Sequence, residues 1–164
     1  MTTDHKPRLF ADDAAVRRVG EGLLDRSLPR EDWTHEAHLA SCLWLQRERA
    51  DIDLAARLPS IIAGYNEAVG GVNSDAAGYH ETITQAYVRL VAGFLADADR
   101  GQALHVLVND LLTSPIGHRD ALMAHYSRER LFSVAARRGW IEPDLKPLPS
   151  HPAGADAVPA LGRG

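Results

Sequence analysis

The stretch from Tyr79 to Phe94 constrains the fold most. Tyr79, Ile83, Tyr87, Leu90, Val91 and Phe94 recur at three- and four-residue spacing, the period that lays one apolar stripe along a helix. Ala15, Val16, Val19, Leu23 and Leu24 repeat it. Residues 102–112 could pass for a strand on composition, but their Leu and Ala content and their spacing favour a helix. No other stretch alternates apolar and polar residues as a half-buried strand does. The expectation is an all-α fold, a single-domain bundle of five to seven helices with an extended C-terminal tail.

Local signals place the elements. Residues 1–10 read as an N-terminal arm, 11–145 as the helical domain and 146–164 as a Pro/Gly-rich tail expected to be flexible. Asp12 and Asp13 start a first helix reaching about Arg26, and Pro29 lies in the loop after it. Thr34 is an N-cap for a second helix to about Arg49, with Trp33 before it as a hydrophobic staple on His38 or Leu39. A third helix begins at Asp51 or Asp53 and is broken or kinked at Pro59. The run from Gly70 to Ser74 is a turn. The helix of His80 follows, to about Ala98. Ser114-Pro115 opens a helix through Leu122, Met123 and Tyr126, and Ser127 restarts a short one that Gly139 ends.

Composition removes several function classes. At 164 residues, one domain with a real core is the simplest reading. Lys plus Arg total 18 against 22 for Asp plus Glu, so no basic excess invites nucleic acid. No apolar run approaches the roughly 18–20 residues needed to span a bilayer, so no membrane partner is expected. The first residues have no apolar h-region, and Cys42 is alone, which rules out an internal disulfide and favours a reducing compartment. A cytoplasmic location is the expectation. There is no G-x-S-x-G, no P-loop and no strand–Gly-rich–helix unit.

Histidines carry the chemistry candidates. His35 and His38 lie three apart at the head of the second helix, on the face of Cys42 and Leu45, and can converge on one ion. They do not form the H-E-x-x-H pattern of zinc proteases. His80 lies beside the apolar stripe of its own helix, with Glu81 next to it and Thr84 one turn on. Two imidazoles from one helix and a third from another, with a carboxylate near, is a common way to hold a divalent ion in a bundle. His35, His38 and His80 are therefore the expected metal ligands, for Zn, Fe or Mn. Glu81 is the expected base, and Thr84 and Tyr126 the expected substrate contacts. His118 and His125, seven apart, would share a helix face. His105 reads as exposed or as a satisfied core ring, and Cys42 as core more often than nucleophile. Arg137 and Asp144 could pair and tie down the chain that follows.

Trp33-Thr34-His35-Glu36-Ala37-His38-Leu39, Gly78-Tyr79-His80-Glu81-Thr82-Ile83-Thr84, Tyr126-Ser127 with Leu131-Phe132-Ser133, and Pro143-Asp144 together resemble the successive motifs of a family of small, uncharacterised all-helical bacterial proteins. The resemblance covers about residues 30–145. It implies a helical fold and a single site shared by His38, His80 and Glu81, and it names no substrate. The leading functional expectation is a small metal-dependent enzyme acting on a small molecule through a His/Glu site between two helices. Its rival is a non-catalytic helical module that binds a small molecule in a polar His/Tyr pocket. A third reading is a bundle of satisfied histidines whose function lies on a homo-oligomer surface.

Overall fold

The computed structural model describes residues 6–149. These form seven α-helices and no strand, so the chain is all-α as its periodicity predicts. The helices are α1 (Asp13–Asp25), α2 (His35–Glu48), α3 (Leu54–Ala68), α4 (Glu81–Asp97), α5 (Leu104–Thr113), α6 (Arg128–Leu131) and α7 (Val134–Arg138). No helix among the described residues is long and apolar enough to cross a membrane.

Short polar side chains set the starts. Asp12, Thr34 and Asp53 each sit in extended backbone and accept the free N–H three residues on, from Ala15, Ala37 and Ala56. Ser127 and Ser133 do the same for α6 and α7. His80 caps α4 in the same way with its ring: Ile83 N–H donates to Nδ1. The stripe that begins at Tyr79 therefore starts just outside the helix.

The core forms where α2 crosses α1, α4 and α5. Leu43, Val16, Val91, Val108 and Leu111 are fully buried there. Gly20 lets α1 and α2 approach closely, because a Cβ at that position would lie 2.2 Å from Cε3 of Trp44. A smaller cluster packs Val19, Leu23 and Leu28 around Tyr65, whose hydroxyl donates to Leu28 O at 2.7 Å. A third joins Ala86 and Leu90 to Leu122, Tyr126 and Leu131.

Four expectations need correction. The third helix runs unbroken through Pro59. Residues 114–126 do not form one helix but two 3₁₀ turns, Pro115–Gly117 and Ala121–Ala124, with His118 extended after the first. Ser114 is satisfied as the cap of the first turn alone, and Gly117 is pressed so near Leu112 O that a Cβ would sit 2.1 Å away. His118 and His125 consequently share no helix face. Residues 127–139 hold two helices, because Ser133 caps a second one after Phe132. Arg137 and Asp144 do not pair: Arg137 donates to Gly78 O and Tyr79 O, and Asp144 accepts from Ser127 N–H.

The ends of the described chain dock. Phe10 exchanges backbone–side-chain hydrogen bonds with Asn109. His125 Nδ1–H points at Lys146 O and Pro147 O at 3.0 and 3.1 Å, and Leu148 packs on the third cluster. Residues 146–149, the start of the tail read as 146–164, therefore lie against the helical domain, and the remainder of the tail, like residues 1–5 of the arm, lies outside the described residues.

Candidate functional site: a cavity beside the second helix

A cavity of about 310 Å³ opens between α1, α2, α3 and α4. From α2 it takes His35, His38, Cys42 and Leu45, the three-four spaced face read from the sequence, together with Leu39 and Ser41. From α4 it takes Ile83, Thr84 and Tyr87, and from α3 Leu58 and Ile62. Leu23, Trp33 and Arg119 complete it. Most of the wall is apolar, with a few polar groups interleaved, as in small-molecule sites generally.

His38 is the central polar group. Its Nδ1–H donates to Thr34 O at 2.7 Å, which fixes the tautomer and leaves Nε2 as a bare acceptor. Trp33 covers one side of the ring, with centroids 3.8 Å apart. His38 is exposed and lines the cavity, so a ligand can reach its ring. Desolvation by the protein packed around the ring, aided by neighbouring His35 and opposed by the bond to Thr34, pushes its pKa down to about 4. His38 is therefore neutral at pH 7.

Other groups in the wall also lack internal partners. Ser41 Oγ is buried and meets no hydrogen-bond partner among the described residues. The hydroxyls of Tyr65, Tyr79 and Tyr126 each donate to an oxygen, whereas that of Tyr87 meets none among the described residues. Burial, with the field of Asp120, pushes Tyr87 up to about 12 and keeps it protonated. Arg119 is exposed and makes no hydrogen bond or ion pair with another described residue. Cys42 accepts from Gln46 at 3.4 Å, and burial pushes its thiol up to about 12, far from a thiolate nucleophile.

His35, His38 and Thr84, all read as site residues, line one cavity. His80, Glu81 and Tyr126 do not line it. His80 holds Ile83 N–H on Nδ1 and donates from Nε2 to Leu131 O at 2.9 Å, so both ring nitrogens are engaged with the backbone. Burial lowers its pKa, in keeping with a neutral ring. Glu81 accepts from the Tyr79 hydroxyl, and Tyr126 donates to Ile141 O at 2.7 Å. His35 Nε2 faces Gly117 O at 2.9 Å. No group of three or more His, Cys, Asp or Glu side chains among the described residues is placed to hold a metal ion.

The Gly78-to-Thr82 run acts instead as a clamp on the C-terminal segment. His80 takes Leu131, Thr82 Oγ1 donates to Gly139 O and accepts from Ile141 N–H, and Arg137 reaches back to Gly78 and Tyr79. Gly78 allows the entry at φ +85°, a conformation other residues rarely adopt.

Sequence reasoning missed Ser41, Tyr87 and Arg119 as site residues. Ser41 stands three after His38 and Tyr87 three after Thr84, so extending the two stripes by one turn would have found both. Arg119 sits between two 3₁₀ turns and has no periodic signal. Comparison with protein-family models, curated proteins and solved structures finds no match to the chain.

Proposed function

We propose that the chain is a small-molecule-binding module whose ligand occupies the cavity between α1, α2, α3 and α4. One observation carries this reading: the bare Nε2 of His38 and the partnerless hydroxyls of Ser41 and Tyr87 border one apolar cavity. Of these, Ser41 Oγ is buried without a partner among the described residues, which costs about 1–3 kcal/mol, and a ligand that hydrogen-bonds it would offset that cost. The dimensions suit a compound of one or two fused rings, with its apolar body against Leu45, Leu58 and Ile62. His38 accepts one hydrogen bond from it, and Ser41 can donate or accept another. The histidines act as recognition groups here, not as metal ligands.

The test uses N-phenyl-1-naphthylamine, a neutral dye that brightens in apolar surroundings. The expected result is saturable binding at one dye per chain, removed in Ile62→Trp, where the indole fills the space. Dye that stays dark, or brightens equally with Ile62→Trp, refutes the reading.

A further inference from the structure

Resting on the cavity being a ligand site, the distribution of its polar groups says which ligand it takes. Arg119 is the one charged side chain in the lining. It belongs to the segment that covers the α2–α4 seam: Gly117 O receives His35, and the His35 ring meets Tyr87 edge-on at 6.2 Å between centroids. Asp120, on the same segment, acts on Tyr87 through its field but does not line the cavity. The lining thus includes a guanidinium and a protonated phenol, both donors without an acceptor among the described residues. The part of the lining from Leu45 of α2 and Leu58 and Ile62 of α3 is apolar.

We propose that the ligand is an organic carboxylate, with its carboxylate on Arg119 and the Tyr87 hydroxyl and its hydrocarbon body between α2 and α3. The planar guanidinium matches a carboxylate's two oxygens, and a phenol that stays protonated can only strengthen an acceptor placed there. His38, uncharged, adds an acceptor for a hydroxyl or N–H on the body. The charge therefore meets an exposed guanidinium that water screens, and no ion has to be buried whole.

The experiment compares 2-naphthoate with 2-naphthamide, equal in shape and different in charge, by titration calorimetry at pH 7 on the whole chain. The expected result is naphthoate binding at least about tenfold tighter, with the preference gone in Arg119→Gln and partly kept in Arg119→Lys. Arg119 is exposed, so these variants are expected to melt with the native chain, which a thermal scan verifies. Equal affinities for acid and amide overturn the carboxylate proposal and leave the cavity reading standing where the neutral dye binds. A preference for naphthoate that survives Arg119→Gln also overturns it. A chain that takes up neither dye nor naphthoate overturns both.

Discussion

Replacing His80 by Ala separates a structural ring from a ligand. The ring is 7% exposed and makes two backbone hydrogen bonds, one closing the first turn of α4 and one holding Leu131. Losing an N-cap acceptor costs about 1 kcal/mol. Leaving the buried Leu131 carbonyl without its donor costs about 1–3 kcal/mol more. The sum is about 3 kcal/mol, and with a urea slope of about 2 kcal/mol/M the unfolding midpoint falls by about 1.5 M. Equilibrium unfolding followed by far-UV circular dichroism reads this directly. A midpoint that His80→Ala leaves within about 0.3 M of the native value would mean that the two bonds contribute little. The clamp assignment would then be false, and a ring free to serve a ligand would become the better account.

Three further outcomes follow from the same geometry. Gly20→Ala should lose a net of about 1–2 kcal/mol, because overpacking against Trp44 outweighs the roughly 1 kcal/mol that Ala adds to a helix; a midpoint at or above native would show that α1 and α2 can separate freely. Iodoacetamide at pH 8 should label Cys42 about a thousandfold more slowly in the folded chain than in urea, since the folded thiol is pushed up to about 12; mass spectrometry that finds rapid native labelling would contradict its burial. Burial lowers the pKa of both His38 and His80, so below about pH 6.5 the unfolded chain takes up these protons first. Stability is therefore full above that pH and declines as it drops toward His38's folded value of about 4. Between those limits the slope should flatten in His38→Gln, whereas the depressed carboxylates of Asp13, Asp25 and Asp75 act only below about pH 4; an unchanged slope would place the proton uptake elsewhere.

Most of the helical frame was legible because its signals are local. Asp12, Thr34 and Ser127 are capping residues directly before apolar periodicity, and each caps as read. The face of α2 was legible too, since a spacing of three and four forces His35, His38, Cys42 and Leu45 to one side whatever they meet. What they meet was not legible. Residues 114–126 carry helix-like composition, yet they form two 3₁₀ turns, and the Gly117 carbonyl meets His35 of α2, a long-range contact that no local signal announces. Arg119 reaches the cavity only because of those turns. His80, read as an inward ligand, stands before the helix with φ −134° and ψ 109°, and its buried ring engages Ile83 N–H and Leu131 O and does not line the cavity.

The conspicuous His80 run and the cavity are nonetheless linked, because one turn of α4 serves both. Ile83 lines the cavity and also donates its N–H to His80, and Thr84 lines it while its N–H closes on His80 O. Removing the cap frays the turn that presents both side chains, so His80→Ala should weaken dye binding although His80 never touches the dye. His80→Asn distinguishes positioning from contact. Asn is a strong N-cap, so it should restore the turn and return most of the dye affinity, while its shorter side chain leaves Leu131 unheld and the urea midpoint only partly recovered. Affinity and stability would then separate, the first following the cap and the second following both bonds. Dye affinity that stays lost in His80→Asn, with α4 intact by amide hydrogen exchange, would show that the imidazole itself is needed, and the ring would have to be counted among the groups that meet the ligand.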